Sequence, residues 1–473
     1  MLAVVTFALY AGTLAYPFVF DDRPSILENP TIRQLWPLSV PMQPPRDGST
    51  VTNRPLLNLT FAANYAVHGL HVGGYRLTNV FMHSGSALLL FGLVRRTLLR
   101  LPNPWPEPKA CGVAGTAALL WVVHPLHTES VTYVSQRAES LAGLLMFAVL
   151  YGFVRATDPA ARAPRAWLAL SLGLGWLGMT AKETFVAVPL LLLLYDRTFV
   201  AGSFRDAWRR RWRVHAGFAG ALLVLVALIL GSPTRGESVG FSADVSPWTS
   251  LLTQSDALVL YVKRAFWPDP LVFDYGTSFS DRITRLSAVL PQVLVVLVLL
   301  AGTGIALVKH PPVGFLGAAF FLVLAPSSSF VPILSQMRAE HRMYVPLAAM
   351  AVLVVVAVIR ITGRWGWLML GLAGGALALT TAARQRDYAT PRALWADTVR
   401  KVPGNPRAHY NLAHELAAAG DTTGAVAAYS KAAELDPGSL MTRVNLATLL
   451  LALGRHAEAR EHAEAAVRID PRS

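Results

Sequence analysis

Two adjacent carboxylates, Asp21 and Asp22, follow directly after the first apolar stretch of the chain, residues 1–20. An apolar stretch of this length brings the next residues to a membrane surface, where burial and neighbouring charges readily shift a carboxyl pKa. Paired carboxylates at such a place suit a general base, a metal ligand or a proton site. The simpler interpretation is a turn that ends a helix, because Asp is common in loops.

Other polar groups stand near the ends of apolar runs and could act on a substrate at the same surface. These candidates are Arg54, His124, His127, Glu129, Lys182, Glu183, Asp274, Glu340, His341 and Arg342. Each also has a structural interpretation. The histidine pair is a weak metal signal, because its three-residue spacing crosses a proline. Lys182 and Glu183 suit either phosphate contact or an intramolecular salt bridge at a tight hairpin.

The segment 126–140 places Glu129, Tyr133 and Arg137 four residues apart. This spacing predicts that the three side chains share one face of a helix.

The composition predicts a protein that crosses the membrane many times. Of 473 residues, 53% are hydrophobic and 15% charged, and the mean hydropathy is +0.43. Soluble proteins average about 25% charged residues. The net charge is +14, and most of the arginines lie in short loops between apolar runs. Basic residues in such loops determine the orientation of the helices in the membrane, so no nucleic acid partner is expected. The single cysteine, Cys111, excludes an intramolecular disulfide.

Eleven apolar runs predict eleven transmembrane helices. They lie near residues 2–20, 77–94, 111–123, 138–154, 167–181, 184–195, 214–231, 286–308, 312–325, 343–359 and 365–382. Basic residues mark alternate loops, most strongly at 205–213, and placing these loops in the cytoplasm puts the C-terminus outside. The segment 256–268 is then an interfacial or re-entrant helix. With this orientation, every polar cluster described above lies on the outer face.

The C-terminal region has a different composition and an internal repeat. Pro403, Pro437 and Pro471 are 34 residues apart, and the triplet at 411–413 recurs at 445–447. A 34-residue period is typical of tetratricopeptide repeats. We therefore predict an all-α protein with a membrane domain at 1–390 and a repeat domain at 391–473, in which 403–436 and 437–470 are full repeats.

The order of the polar motifs resembles that of a known family, the transmembrane-and-tetratricopeptide O-mannosyltransferases and their bacterial relatives, in the GT-C glycosyltransferase superfamily. The motifs are Phe20-Asp21-Asp22, Arg54-Pro55-Leu56, Gly74-Tyr75-Arg-Leu-Thr-Asn79, His124-Pro-x-His127-x-Glu129, Lys182-Glu183, Phe273-Asp274-Tyr275 and Ala339-Glu340-His341-Arg342-x-Tyr344. The resemblance covers nearly the whole chain. It implies a polyprenyl-phosphate-linked, mannose-like sugar as donor and inverting transfer to an acceptor hydroxyl, on a protein.

The residue chemistry agrees with such a reaction. Either Asp21 or Asp22 could be the base that activates the hydroxyl, while the other positions it or the acceptor. The leaving lipid phosphate needs cations, for which the candidates are Arg137, Lys182, His341 and Arg342. No cofactor is required, although the two aspartates leave a divalent metal possible.

Two other functions compete with the transferase. If the protein is a non-catalytic scaffold of cell-envelope machinery, the charged residues on the outer face should neutralise one another as ion pairs. If it is a transporter, ionisable residues should lie near the centres of the helices. The repeats would bind a protein acceptor or partner in either a transferase or a scaffold. The abundance of Ala, Arg, Gly and Pro suggests a bacterial inner membrane, with the site and the repeats on the periplasmic side.

Overall fold

The structure is a computed structural model that describes residues 1–231, 247–276, 286–328 and 336–472. Every regular element in these ranges is helical, which confirms the predicted all-α fold for the described part of the chain.

The part before residue 390 contains fifteen α-helices among its described residues. They are α1 (Leu2–Tyr10), α2 (Pro55–His68), α3 (Val72–Arg100), α4 (Glu107–Val122), α5 (Thr128–Thr132), α6 (Arg137–Ala156), α7 (Pro164–Gly178), α8 (Val188–Asp196), α9 (Phe204–Gly220), α10 (Leu222–Leu230), α11 (Pro247–Phe266), α12 (Leu286–Lys309), α13 (Pro311–Leu324), α14 (Pro346–Thr362) and α15 (Trp365–Gln385).

Proline and glycine mark several helix ends in the expected way. Pro55 and Pro346 occupy the first positions of α2 and α14, where a missing N–H costs nothing. Gly69 and Gly363 follow the same two helices with positive φ angles of 55° and 58°, a conformation that a side chain would strain.

The protein is an integral membrane protein. Six helical segments among the described residues are long and apolar enough to cross a bilayer, and a seventh is possible if α4 and α5 form one span bent by 54°. The six are Val72–Arg100, Val134–Ala156, Glu183–Ala201, Phe204–Leu230, Val289–Lys309 and Trp365–Tyr388. Each of the eleven predicted apolar runs contains a helix, but the others are shorter, so the count of eleven spans stays a prediction.

Short 3₁₀ turns interrupt the helices at the end of the bundle where the polar motifs lie. They are Pro125–His127, Val134–Gln136, Glu183–Ala187 and Glu340–Met343. Several of these turns pack against one another or against α5 and α15. The polar motifs are therefore held by irregular backbone that the surrounding helices bury.

The C-terminal region is a stack of helices. Helix α16 (Pro391–Lys401) precedes the pair α17 (Pro406–Ala418) and α18 (Thr422–Leu435), and the pair α19 (Leu440–Ala452) and α20 (His456–Ile469) follows. One pair lies within each predicted repeat. Gly420 and Gly454 provide the tight turn inside the pairs, with φ of 79° and 73°. The boundary between residues 390 and 391 stays a prediction.

Candidate active site

Asp22 is fully buried in the turn after the first apolar segment. Its Oδ2 accepts a hydrogen bond from the N–H of Val19 at 3.0 Å, and its Oδ1 accepts one from the N–H of Ser135 at 2.6 Å. Burial raises the pKa of Asp22 to about 6, against the lowering effect of these bonds and of Arg76. One carboxylate oxygen thus closes the turn itself, and the other joins the turn to the segment before α6.

Asp21 has a different environment, although it is the next residue. Its side chain is half-buried, and its Oδ2 accepts one hydrogen bond, from the Thr50 hydroxyl at 3.3 Å. Its backbone N–H donates to the Tyr133 hydroxyl at 2.9 Å. Burial raises the pKa of Asp21 to about 6, while Thr50 and the nearby Arg407 lower it. A carboxylate with a pKa near 6 is largely ionised at pH 7 and can accept a proton.

The segment around Tyr133 is not one helix, so the predicted shared face of Glu129, Tyr133 and Arg137 is wrong. Helix α5 ends at Thr132, the backbone of Tyr133 is extended, and a 3₁₀ turn precedes α6. The break lets the Tyr133 hydroxyl reach Asp21, and it exposes the Ser135 N–H to Asp22. The spacing of the residues could not predict this break between α5 and α6, because hydrogen bonds to residues far away in the chain stabilise it.

Asp274 connects the site to the repeat domain. Its carboxylate binds the Arg407 guanidinium at two points, with Oδ2 2.5 Å from Nε and Oδ1 2.7 Å from Nη2. The backbone carbonyl of Asp274 accepts from the Asn405 side chain at 3.0 Å, and that of Leu271 accepts from Lys401 Nζ at 2.9 Å. The loop containing Asp274 therefore lies between the membrane helices and the start of the repeats.

An aromatic cluster surrounds this junction. The Phe273 ring makes edge contacts with the rings of Phe20, Tyr133, Tyr388 and Trp395, at centroid distances of 6.0, 5.3, 5.9 and 5.3 Å. These residues come from the first turn, the α5–α6 break, the end of α15 and the start of the repeats. The cluster keeps water away from one side of Asp21, which is consistent with the raised pKa.

A second group of charges connects the other predicted residues, and we call Lys182, Glu139, His341 and Glu129 the Lys182 network. Lys182 Nζ forms a buried ion pair with Glu139. His341 Nδ1 lies 2.7 Å from Glu129 Oε1, and His341 Nε2 lies 3.8 Å from Glu139 Oε1. Burial lowers the pKa of His341 to about 3, so its ring is neutral at pH 7. The structure thus brings Glu129, Lys182 and His341 together.

Arg54 and Glu183 connect the Lys182 network to Asp21. Arg54 Nη2 lies 2.9 Å from Glu183 Oε2, and its Nη1 donates to the Thr50 carbonyl at 2.9 Å. Thr50 in turn donates to Asp21. Lys182 pairs with Glu139 and Glu183 with Arg54, so both residues form salt bridges within the chain, and their contact with phosphate stays a prediction.

Glu340, the residue before His341, has a separate set of hydrogen-bond partners. Its Oε1 accepts from the N–H of Val272 at 2.6 Å and from the Tyr275 hydroxyl at 2.7 Å. Burial raises the pKa of Glu340 to about 7. Its contacts fix the Asp274 loop, which indicates a positioning role.

Arg137 is fully buried and surrounded by protein acceptors. Its Nε donates to Asn79 Oδ1 at 2.7 Å, its Nη2 to the Tyr75 carbonyl at 2.8 Å, and its Nη1 to the Thr60 carbonyl at 3.3 Å. The guanidinium also lies over the Phe61 ring, 4.6 Å from its centroid. These contacts favour a role in joining α2, α3 and α6, and the donor-phosphate role of Arg137 stays a prediction.

Arg342 is likewise occupied by backbone carbonyls. Its Nη1 donates to Ser327 at 2.9 Å and to Met337 at 3.2 Å, and its Nη2 binds the Gln336 carbonyl. Its contact with phosphate stays a prediction as well. Its neighbours indicate that it joins Ser327, which follows α13, to Gln336 and Met337, which precede the Glu340–Met343 turn.

The two histidines before α5 are not arranged as metal ligands. His124 accepts from the Leu126 N–H at 3.3 Å and lies 3.1 Å from the Ala265 carbonyl, whereas His127 is buried against the rings of Trp121 and Tyr344. Within the described ranges, no group of three or more His, Cys, Asp or Glu residues could hold a metal ion.

Several residues of this site, or their contacts, were not predicted from the sequence. They are Thr50, Glu139, Arg407, Tyr133 as a partner of Asp21, and Tyr275 as a partner of Glu340. Glu139 carried one signal, because a carboxylate two residues into an apolar helix needs a partner. Arg407 carried none, since a lone arginine in a repeat is normally a solvent-exposed residue.

Two overlapping parts of the chain, residues 377–440 and 416–473, match the tetratricopeptide repeat family. The protein O-mannosyl-transferase Tmtc1 of Drosophila melanogaster is 30% identical over 314 residues, which cover 60% of this chain and 35% of that protein. Tmtc3 of the same species and human TMTC1 are each 25% identical and cover 97% and 95% of this chain.

The chain is a relative of these protein O-mannosyltransferases. It carries tetratricopeptide repeats at its C-terminal end, as the 34-residue period predicted. The alignments cover 57% of Drosophila Tmtc3 and 56% of human TMTC1, so the chain spans little more than half of these relatives. Among solved structures, ArnT from Cupriavidus metallidurans bound to undecaprenyl phosphate is similar over 98% of this chain and 74% of its own, with 15% identity and a TM-score of 0.44.

Proposed function

We propose that this chain is a membrane glycosyltransferase that moves a mannose-like sugar from a polyprenyl-phosphate carrier to a hydroxyl group of a protein. The observation that carries the proposal is the half-buried Asp21 carboxylate, which has a pKa near 6 and accepts a hydrogen bond from the Thr50 hydroxyl. The relatives are protein O-mannosyltransferases, which supports the choice of reaction.

In the proposed reaction, Asp21 accepts the proton of the acceptor hydroxyl as its oxygen attacks the anomeric carbon. The bond from that carbon to the phosphate oxygen breaks, and polyprenyl phosphate leaves. Attack from the face opposite the phosphate inverts the anomeric configuration. Asp22 holds the turn through the Val19 and Ser135 amides, which fixes the direction of Asp21.

The leaving phosphate needs a nearby positive charge. Lys182 is the best candidate, because it is buried in the Lys182 network and also senses the charges of Arg54 and Glu183. In the proposal, phosphate binding shifts Lys182 partly away from Glu139, and His341 then stabilises Glu139. A cation that the protein already holds in position stabilises the negative charge that develops on the leaving phosphate.

We propose that the reaction needs no divalent metal. Both Asp22 oxygens already accept backbone N–H groups, so Asp21 and Asp22 do not present a shared set of ligand oxygens. We also retain the eleven-span topology as part of the proposal, with the site and the repeats on the outer, periplasmic-equivalent side of a bacterial inner membrane.

Sugar transfer by the purified protein from a panel of polyprenyl-phosphate monosaccharides tests the proposal. We expect turnover with a mannose-like donor, loss of turnover in Asp21→Asn without a change in thermal unfolding, and no loss after chelation by EDTA. Binding of no donor in the panel would instead favour the non-catalytic scaffold.

A further inference from the structure

A cavity of about 400 Å³ lies between α3, α6, α13 and α14, and we call it the distal crevice. Its walls are apolar and include Leu90, Phe147, Leu316, Val345 and Leu353. Val313 and Leu353 line the cavity and are 44% and 38% exposed, so it opens sideways toward the lipid. Among the described residues that line it, no carboxylate occurs.

The distal crevice ends in basic residues. Lys309, His310 and Arg360 line that end, all exposed, and the Arg360 guanidinium lies 5.4 Å from the centroid of the Trp105 ring. Neither Lys309 nor Arg360 forms an ion pair with a carboxylate in the described part of the chain. An apolar slot with unneutralised cations at one end has the chemistry of a site for an anionic lipid.

This basic end lies on the membrane face opposite to Asp21. Arg76, near the start of α3, donates to the Pro17 carbonyl just before Asp21, whereas Leu98 and Leu101 line the basic end of the crevice. From residue 76 to residue 98, a helix rises about 33 Å. That distance exceeds a hydrocarbon core of about 30 Å. A donor with its phosphate near Asp21 therefore cannot also place that phosphate at Arg360.

The crevice is long enough for an acyl chain. It follows α14 from Pro346 to Arg360, a rise of about 21 Å. One leaflet contributes about half of a 30 Å core, or about 15 Å. A chain that enters beside Arg360 can thus be buried over its full length, in contact with close-packed side chains rather than with mobile lipid.

We propose that the distal crevice binds one anionic phospholipid from the leaflet opposite to the active site. One acyl chain fills the slot between α13 and α14, and Lys309 and Arg360 hold the phosphate. The site is separate from the proposed transferase chemistry, because no residue of the Lys182 network or the Asp21 turn lines it.

Lipid retention by the purified full-length protein tests this inference. The protein is exchanged into nanodiscs of equal phosphatidylglycerol and phosphatidylcholine, extracted into mild detergent, and examined by native mass spectrometry. We expect one retained phosphatidylglycerol, favoured over phosphatidylcholine on the order of tenfold. The double variant Lys309→Gln, Arg360→Gln should lose that preference. Ala349→Phe, which narrows the slot, should lower retention of both lipids.

The matched control is the double variant Arg162→Gln, Arg165→Gln. It removes two cations that lie on the same membrane face but do not line the crevice. Equal loss of preference in this control would show a general charge effect and overturn the proposal. Unchanged retention in Lys309→Gln, Arg360→Gln would also overturn it, as would stoichiometric displacement of the phospholipid by polyprenyl phosphate.

Discussion

The Arg407 guanidinium in α17 forms a two-point ion pair with the carboxylate of Asp274, at 2.5 and 2.7 Å, and the charge of Arg407 also acts on Asp21. A residue of the repeat domain therefore contributes to the electrostatic environment of the proposed base. An acceptor that the repeats hold would be presented at the same junction.

Replacing Arg407 by alanine should weaken the junction between the repeats and the membrane helices. The buried Asp274 carboxylate would lose its two-point partner, and we expect a loss of about 1–3 kcal/mol in the free energy of unfolding. Differential scanning fluorimetry in detergent measures the change. Arg392→Ala is the control, because Arg392 is 57% exposed and lies 3.8 Å from Asp421. An equal effect of both variants would contradict a special role for Arg407.

The two aspartates should respond differently to the same substitution. Asp21→Asn should lower kcat by about 10²–10⁴ and leave unfolding unchanged, because it removes a base with few structural contacts. Asp22→Asn should cost about 1–3 kcal/mol of stability, because an amide NH₂ would face one of the two backbone donors. Kinetics and thermal unfolding of both variants decide the matter. If only Asp22→Asn lost catalytic activity, Asp22 would be the base and Asp21 the positioning residue.

The activity should depend on pH through Asp21. A base must be ionised, and the pKa of Asp21 is about 6, so kcat/KM should fall tenfold per unit below pH 6 and level off above it. Arg407→Ala removes a charge that lowers this pKa, so the acid limb should move to higher pH. A pH–rate profile of wild type and variant measures both effects.

Unfolding of the protein does not explain the expected fall of kcat/KM below pH 6. The pKa values of Asp21 and Asp22 in the folded protein are raised from 3.8 to about 6, so the folded state binds protons more tightly than the unfolded chain. The stability contributed by these groups is therefore complete below pH 4 and is lost as pH rises to 6. Destabilisation of the protein by these two residues on acidification would contradict the environments described above.

Arg137→Met should test whether Arg137 positions helices or binds phosphate. The substitution leaves Asn79 and the Tyr75 carbonyl without their donor, and we expect a loss of about 2–4 kcal/mol in stability. Unfolding temperature and donor affinity are measured together. A variant with unchanged stability and a weaker donor affinity would restore the phosphate-binding role.

Lys182→Gln should weaken the binding of polyprenyl phosphate by about tenfold, because it removes the cation proposed to bind the leaving phosphate. Titration of a fluorescent polyprenyl phosphate measures the change. Lys109→Gln provides the control, since Lys109 is exposed beside Trp105, away from the Lys182 network. Equal affinities for wild type and Lys182→Gln would exclude Lys182 from the phosphate site.

The membrane class, the helical fold and the repeats followed from the sequence alone. Apolar runs predict buried or membrane helices because each helix satisfies its own backbone hydrogen bonds, and the 34-residue period defines the helix pairs of the repeats. These are local or periodic properties, and each can be recognised within one segment. The candidates Asp21, Lys182, Glu129 and His341 were also named from polar residues at the ends of apolar runs, and their roles stay predictions.

Only the tertiary structure separated the roles of these residues. Asp21 and Asp22 are chemically identical neighbours, and the distant amide of Ser135 and hydroxyl of Thr50 make them different. Arg137 and Lys182 are both cations, yet one is surrounded by carbonyls and the other pairs with Glu139. Partners that lie far apart in the chain determine burial, pKa and free hydrogen-bonding capacity, and residue spacing carries no record of such long-range contacts.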